Sequence, residues 1–454
     1  MDRPLKLNNK GNRDFLRTML KIALPIMIQN LVTSSLNMAD TVMIGKLGEV
    51  EIASVGIANQ YFFFFTMILT GLCGGCSVFI SQYWGKKDLP NIKRILGLGL
   101  ISVLFVSIIF MTAGFISPQG IISIFNKNPR VIELGGQYLF IVLFSYIFTG
   151  VTFIYSYSLR SIGNTITPLI VNIGALICNV VLNYMLIFGN FGAPALGVQG
   201  AALATLIARV FETIILIVMV YRGRGILAAS LSELKDLNSR FFKRSYMIIL
   251  PVLLNDVLWG MASLIYSVVY GRMGTGATAT IQIANTVSNM FMVVTFGMAS
   301  ASAIMIGNSV GQGNEDQTID YSKKFLGVSL IIGTILGLAL ALTSPLILGL
   351  FNISSEVRSS TLIILYIISF IFIVRFMGMV IIVGILRGAG DARSALIIEG
   401  STMWLIGVPL TILGAFVFKL PVHLVYALAV LEEVTKLILG LIRLKSRKWI
   451  HNVT

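Results

Sequence analysis

Long apolar stretches separated by short polar segments make up nearly the whole chain. A helix rises ~1.5 Å per residue, so about 20 apolar residues are enough to cross the ~30 Å hydrocarbon layer of a bilayer. Stretches of this length recur 12 times, and the pattern predicts an all-α membrane protein with 12 transmembrane helices. The predicted spans cover approximately residues 18–44, 52–79, 94–116, 131–154, 161–188, 196–221, 245–270, 277–306, 323–348, 359–384, 394–417 and 420–442.

The composition agrees with a chain that is solvated largely by lipid. Hydrophobic residues make up 56% and charged residues 12% of the 454 residues, and the mean hydropathy is +0.89. An ordinary soluble domain carries about 25% charged residues. Because a single water-soluble core cannot absorb this much apolar surface, the composition excludes an ordinary soluble domain.

The net charge of +15 would also suit a nucleic-acid-binding protein, but the basic residues lie at alternate ends of the predicted spans. With the N-terminus inside, 25 lysines and arginines fall on the cytoplasmic side and six on the opposite side. This bias follows the positive-inside rule, so we expect cytoplasmic N- and C-termini, a multi-pass location in the cell (inner) membrane, lipid neighbours and no nucleic-acid partner. The six residues on the opposite side are Lys46, Lys127, Arg130, Arg272, Arg358 and Lys419.

The two halves of the sequence repeat one plan. Pro25 corresponds to Pro251 and Gly45 to Gly271, each 226 residues apart, and Arg160 corresponds to Arg387 after a one-residue slip. Each half holds an even number of spans, so we expect two pseudo-symmetric, parallel six-helix lobes, which suit alternating access. A duplicated but static protein would show the same repeat. The predicted boundaries are residues 1–221 for the N-lobe, 222–244 for a cytoplasmic linker and 245–454 for the C-lobe with its basic tail.

Asp40 lies near the end of the first apolar span. A carboxylate at the centre of a transmembrane helix costs about 2.5–3.5 kcal/mol on insertion scales, so such residues usually face a cavity or a partner. Burial favours the protonated form and a bound cation favours the ionised form, so one buried aspartate can alternate between the two states. The sequence therefore predicts a cation- or proton-coupling residue at Asp40, with a structural hydrogen bond near the outer interface as the alternative.

Several motifs together resemble those of the multidrug and toxic compound extrusion (MATE) family of transporters. They are Asp40-Thr-Val-Met-Ile-Gly45-Lys-Leu-Gly48, Leu159-Arg160-Ser-Ile-Gly163, Leu386-Arg387-Gly-Ala-Gly390-Asp391, Asn179-Val-Val-Leu-Asn183 and Gly200-Ala-Ala-Leu-Ala-Thr205. The likeness covers essentially the full chain, with the motifs in the order that the family shows.

The resemblance implies a MATE-like fold and the export of bulky, mostly cationic organic compounds in exchange for Na⁺ or H⁺, by a monomer that needs no other cofactor. It also implies an N-lobe polar cluster of Asp40, Asn179 and Asn183, with Thr205 as a further member. The spacing of four residues places both amides on one helical face. Asn183 stands where some branches of the family have aspartate, which leaves a single N-lobe carboxylate and leaves the bound ion open between Na⁺ and H⁺.

Further polar residues are expected to line the substrate cavity, but each has a structural alternative. Asp256 and Glu399 are candidates for binding cationic substrate, and Asp256 is alternatively a buried partner of Arg375 or another basic residue. Pro25 removes a backbone hydrogen bond and is a candidate hinge of the first helix. The remaining candidates, on the second and eighth spans, are Gln60, Tyr61, Gln282, Asn285 and Asn289.

Other classes of function are less well supported by the sequence. A lipid-linked oligosaccharide flippase of the same superfamily would present an arginine-rich groove, whereas only Arg209, Arg375 and Lys436 fall within the predicted spans. Cys73-Gly-Gly-Cys76 has no partner pair and the chain has two histidines, so we expect neither a metal centre nor an enzyme. The sequence has no phosphate-binding loop for ATP-driven transport.

Overall fold

The computed structural model describes residues 11–223, 225–349, 351 and 353–454. Arg3, Lys6, Lys10 and Arg224 contribute to the predicted charge bias but lie outside the described residues, as does the start of the predicted N-lobe. In the described part of the chain every regular element is helical, which confirms the predicted fold class.

The residues that the structure describes form 17 α-helices. Three π-helical turns extend or interrupt the later ones, at Val380–Leu386, Met403–Gly407 and Leu413–Val417, and a short 3-10 helix lies at Asn190–Gly192. The helices are α1 Gly11–Gly45, α2 Glu49–Lys86, α3 Leu89–Ile116, α4 Pro118–Phe125, α5 Pro129–Val142, α6 Ser145–Ser161, α7 Ile166–Phe188, α8 Val198–Arg222, α9 Leu231–Lys235, α10 Ser239–Arg272, α11 Thr275–Gly311, α12 Glu315–Leu348, α13 Ser355–Met379, α14 Ala392–Thr402, α15 Val408–Ile412, α16 Val422–Ala429 and α17 Leu431–Lys445.

Ten of the helical segments in the described residues are long and apolar enough to cross a bilayer, and α5 with α6 forms an eleventh span bent by 53°. The last of the 12 predicted spans does not meet the same criterion. It is divided at Val430 into α16 and α17, and α17 is 15 residues long with Glu432, Glu433 and Lys436 in its first two turns. Those charges are paired inside the protein, which explains how this segment avoids exposing them to lipid.

By compactness the described chain forms two units. One contains residues 28–80 and 88–249, and the other contains residues 11–27, 81–87 and 250–454. The boundary between the two units therefore differs from a division of the chain at the predicted linker, because the first turns of α1 belong to the second unit. There the Phe15 ring meets the rings of Tyr321 and Phe325, with centroids 5.5 and 5.0 Å away. The predicted lobe boundaries stay a prediction.

The segment between the predicted lobes is packed onto α3 in the first unit. The Lys93 ammonium lies 2.7 Å from a carboxylate oxygen of Glu233 in α9, and the Nε atom of Arg94 donates to the Asp236 carbonyl at 2.7 Å. A side chain at Gly97 would overlap the backbone of Leu234. The glycine thus lets α9 approach α3 closely, and the linker is an ordered part of this unit.

Candidate functional site

The first unit encloses a cavity of about 620 Å³. This volume is within the range of sites that bind small organic molecules. Helices α1, α2 and α5 to α8 contribute to its wall, and apolar and polar side chains alternate around it. Its polar lining residues include Gln29, Asn30, Thr33, Asp40, Asn59, Thr66, Thr149, Thr152, Ser156, Arg160, Asn172, Thr205, Arg209 and Glu212.

Asp40 is held at this cavity by the two asparagines of α7. The Nδ2 atom of Asn183 donates to Oδ1 of Asp40 and also to Oδ1 of Asn179, the latter at 3.0 Å. Both asparagines are buried, whereas Asp40 is partly exposed to the cavity. The Oδ1 atom of Asn183 is buried with no hydrogen-bond partner. The arrangement thus offers a carboxylate and a spare amide oxygen, which are the ligand types that a hard cation prefers.

Two further members of the cavity wall come from α8. Thr205 lines the cavity as the sequence analysis expects, although its contacts do not include Asp40 at hydrogen-bond distance. Arg209 lies one turn further along, and its Nη1 atom is 2.8 Å from Oε2 of the buried Glu212. Arg209 and Glu212 therefore neutralise each other's charge within one helix, as their spacing of three residues favours.

Arg160, on α6, also lines this cavity. It lies in the last turn of α6, and its Nη2 atom donates to Oε1 of Gln29 at 2.6 Å. Its guanidinium carbon is 5.4 Å from the centre of the Tyr157 ring. The sequence analysis assigned Arg160 to the cytoplasmic end of a span, so this cavity residue was missed. Its position in the repeated Leu-Arg motif was the signal that could have singled it out.

Helix α2 presents a stripe of side chains to the cavity, and Gln60 and Tyr61 lie off that stripe. The Tyr61 hydroxyl donates to the carbonyl of Phe110 at 2.8 Å, and its ring packs beside Phe110 and Tyr146. Gln60 is exposed but does not border the cavity. Neither residue lines this cavity, and their predicted role in substrate binding stays a prediction. The residues of α2 that line the cavity are Ile52, Val55, Gly56, Asn59, Phe62, Phe63, Thr66 and Thr70.

In the second unit, Asp256 and Glu399 belong to a buried ion network. Oδ1 of Asp256 is 2.6 Å from Nη2 of Arg387, which is also 4.0 Å from Glu399. Glu399 accepts a hydrogen bond from Asn255 at 2.6 Å and lies 3.5 Å from the Lys436 ammonium. The contacts of Asp256 correspond to the alternative given in the sequence analysis, a buried basic partner, and that partner is Arg387. The expected role of Asp256 and Glu399 in the substrate cavity has no support from these contacts.

The network continues into α17 and α13. Lys436 is 3.2 Å from Glu433, which is 3.6 Å from Arg375. The Tyr266 hydroxyl donates to Oε2 of Glu432 at 2.6 Å. Lys436 therefore pairs with Glu433, three residues away on the same helix, and also with Glu399 on another helix.

Gln282, Asn285 and Asn289 lie on one exposed face of α11, at spacings of three and four residues. Their predicted cavity role stays a prediction, as does the hinge role of Pro25, which lies inside α1. Within the described ranges, no cluster of three or more His, Cys, Asp or Glu side chains is placed to hold a metal ion. Cys73 and Cys76 are free and buried.

The repeat and the helices agree with the comparison against known families. The family model MatE matches residues 25–185 and 251–413, and both ranges begin at the paired prolines. The chain belongs to the MATE family of transporters.

Curated MATE relatives match along nearly their whole length. An uncharacterised transporter, YisQ of Bacillus subtilis, is 25% identical over 440 residues, which cover 96% of this chain and 95% of the relative. A probable multidrug resistance protein, NorM of Thermotoga maritima, is 23% identical over 444 residues, which cover 95% of this chain and 93% of the relative.

Solved MATE structures share the fold. A crystal structure of MATE in complex with MaL6 has a TM-score of 0.88 at 18% identity and covers 99% of this chain and 100% of the other. An outward-facing multidrug resistance MATE transporter has a TM-score of 0.85 at 19% identity and covers 95% of this chain and 96% of the other. At such low identity these structures support the helical architecture and not a particular substrate.

Proposed function

We propose that this MATE transporter is a secondary antiporter that exports organic, mostly cationic compounds in exchange for Na⁺ or H⁺ by alternating access. The main observation in support of this proposal is the position of Asp40, a carboxylate that a buried asparagine holds at the wall of a cavity of about 620 Å³. The names of the NorM and MdtK relatives, which are multidrug resistance proteins, support the same class of transport.

In this proposal Asp40 binds either the coupling ion or the cationic group of the substrate. The two compete because one carboxylate supplies one negative charge at this end of the cavity. With an ion or proton bound, the substrate leaves, and with the ion released, the site accepts the next substrate. Asn179 and Asn183 keep the carboxylate in place during both steps, and Thr205 contributes a polar wall. The protein works as a monomer in the cell membrane with both termini in the cytoplasm.

The energy of the ion gradients is sufficient for such exchange. Moving one charge through the membrane is worth about 2.3 kcal/mol per 100 mV. One unit of pH difference adds about 1.4 kcal/mol. Together they sustain a concentration ratio of several hundred for a neutral compound exchanged against one proton, on the order of 10² to 10³. A monovalent cation exchanged against one proton uses the pH difference alone.

The test is ethidium efflux from proteoliposomes in which a sodium or a proton gradient is imposed separately. We expect wild-type protein to respond to at least one gradient, and Asp40→Asn to abolish that response. Asp14→Asn is the matched control, because Asp14 is an exposed aspartate in the first turn of the same helix. Unchanged efflux by Asp40→Asn would remove Asp40 from the mechanism. Folded wild-type protein that moves no ethidium under either gradient would favour the lipid-linked oligosaccharide flippase instead.

A further inference from the structure

Segment 446–454 follows α17 and packs against the second unit without forming a helix of its own. The Trp449 side chain is 2% exposed and Val453 is 7% exposed. The indole Nε1 atom of Trp449 donates to the carbonyl of Leu444 in the last turn of α17, at 3.1 Å. The segment is therefore folded back onto the helix that it follows.

The side chain of Gln82, near the end of α2, binds the backbone of this segment. Its Nε2 atom donates to the carbonyl of His451 at 3.2 Å, and its Oε1 atom accepts from the backbone N–H of Val453 at 2.9 Å. Gln82 is 0% exposed, so water does not compete for these bonds. One amide thus satisfies an acceptor and a donor of the segment, and buried backbone groups need such partners.

The turn before α14 also binds the segment. The backbone N–H of His451 donates to the carbonyl of Ala389 at 2.8 Å. Gly390 has a φ of +85°, and a Cβ there would lie 2.6 Å from the His451 carbonyl oxygen. Glycine at this position therefore lets the segment lie directly on the turn. His451 is bonded through its backbone to both α2 and the turn.

Helix α2 starts in the first unit, and its residues 81–86 belong to the second. These last turns pack closely against α11. A side chain at Gly85 would overlap the carbonyl of Asn308, and one at Gly311 would overlap the carbonyl of Gln82. Two contacts therefore hold the end of α2 in the second unit, one with α11 and one with the C-terminal segment.

We propose that segment 446–454 acts as a strap, which fastens the end of α2 to the second unit and detaches from Gln82 when the transporter opens to the cytoplasm. The inference rests on the proposed function, because alternating access supplies the opening and the proposed orientation places this end of α2 on the cytoplasmic side. A helix shared by two units must bend or release one end when the units move. The bonds to Gln82 can break without unfolding any helix, so the strap is the contact that opens at the lowest cost.

Two variants weaken the strap from its two sides. Val453→Pro removes the N–H that donates to Gln82 and leaves α2 unaltered. Gln82→Met replaces the amide by an apolar side chain of similar length and leaves the segment unaltered. Asn452→Ala is the matched control, because Asn452 is exposed and its side chain accepts only from Thr454 among the contacts described for it. The control keeps both backbone bonds to Gln82.

Two measurements test the variants. The first is amide hydrogen exchange by mass spectrometry in lipid nanodiscs, read separately for residues 83–86 and 446–454. The second is the KM of ethidium transport from the cytoplasmic face of proteoliposomes. Val453→Pro and Gln82→Met should speed exchange in both segments about threefold to tenfold, as the loss of a buried hydrogen bond implies. Their KM should fall by up to the same factor, because apparent affinity rises with the fraction of protein open to the substrate. Asn452→Ala should match the wild type in both.

Faster exchange confined to 446–454 in the two strap variants would overturn the inference, as would a KM that both leave unchanged. The segment would then pack against the second unit without controlling α2, and the proposed export of cations would stand. Folded wild-type protein that moves no ethidium would contradict the proposed function, whereas hydrogen exchange would still decide whether the segment holds the end of α2. If Gln82→Met does not fold, Val453→Pro decides.

Discussion

At the scale of single residues, amide side chains hold the carboxylates of both units in place. Asn183 donates to Asp40 in the first unit, and Asn255 donates to Glu399 in the second. The surroundings of the two acids differ, because Glu399 has Lys436 within 3.5 Å and Asp40 has no basic side chain within 4.0 Å among the described residues. This difference agrees with the proposed role of Asp40 in binding an incoming ion or substrate.

Asn183→Leu is expected to reduce gradient-driven ethidium efflux at least about tenfold. The change removes the amide that donates to Asp40 and leaves Asn179 without its 3.0 Å donor, so the carboxylate is no longer held at the cavity wall. Efflux from proteoliposomes is the measurement. Asn190→Leu is the control, because Asn190 lies in the short 3-10 helix after α7, where its side chain donates to the Tyr184 carbonyl. Equal efflux by the two variants would contradict the role of Asn183.

Arg387→Met is expected to lower the free energy of unfolding by about 3–5 kcal/mol, because it leaves the buried Asp256 carboxylate without its closest counter-charge. The double variant Asp256→Leu/Arg387→Met removes both charges and should recover much of this loss. Thermal denaturation of the detergent-solubilised protein gives the comparison. A double variant that is as unstable as the sum of the two single variants would show that the two residues do not act as a pair.

Local spacing made part of the site predictable from the sequence. Asn179 and Asn183 are four residues apart on one helix, so their shared face follows from helix geometry alone. The partner of Asp256 lies 131 residues away, and no local pattern identifies it. Gln60 and Tyr61 lie beside the cavity-lining residues of α2 for another reason. Because α2 is apolar on all sides, its hydrophobic period gives little information about which face meets the cavity.

At the scale of helices, irregular turns concentrate in the last third of the chain. A π-helical turn at Met403–Gly407 ends with a glycine that faces Glu432 and Tyr266. Turns of this kind add a residue within a helix and often accompany functional sites. The sequence pattern predicts a continuous span at residues 394–417 because the added residue leaves no signature in hydrophobicity. The same reasoning applies to the division of the last predicted span at Val430.

Gly407→Ala is expected to destabilise the protein by about 1–3 kcal/mol, the usual range for overfilling a packed site. The added Cβ would overlap Oε2 of Glu432 and the hydroxyl of Tyr266, so their 2.6 Å hydrogen bond could not form unchanged. Gly327→Ala in α12 is the matched control, because no atom lies within 4 Å of a Cβ there. It should be neutral or stabilising by about 0.5–1 kcal/mol. The midpoint of thermal denaturation distinguishes the two.

Pro25→Ala is expected to slow efflux and to change its dependence on pH, if α1 bends at Pro25 when Asp40 changes its protonation. The division of the chain into compact units falls between residues 27 and 28, two residues after this proline. Pro345→Ala, which removes a proline from inside α12, should leave transport unchanged. Wild-type rate and pH dependence in Pro25→Ala would end the hinge hypothesis.

At the scale of the whole molecule, length and hydropathy were sufficient to predict a polytopic helical protein, and the repeat predicted two matching halves, whose paired prolines begin the two ranges of the family match. Both are summed over many residues, so errors at single positions have little effect. The linker is different. Its polar composition gave no indication that Lys93 and Arg94 hold it against α3. Tertiary contacts decide whether such a segment is ordered.

The linker contact should make stability depend on acid pH. The Lys93 ammonium, and then the backbone and hydroxyl of Ser230, lower the pKa of Glu233 to about 2 from the ordinary 4.5. A carboxyl whose pKa is lowered by folding stabilises the folded state fully above the unfolded value and loses that contribution as pH falls through the folded value. The difference in denaturation midpoint between wild type and Glu233→Gln should therefore be constant above about pH 5 and shrink towards about pH 2. In a Lys93→Met background the difference should be smaller throughout. A difference that grows on acidification would refute this assignment.

The different partners of the two repeated arginines also bear on how a duplicated transporter diversifies. Two copies of a gene begin with the same arginine, and one copy can keep it in an ion pair, as with Arg387 and Asp256, while the other gives it an uncharged partner, as with Arg160 and Gln29. One copy can then change its chemistry while the ion pair in the other copy still stabilises the fold.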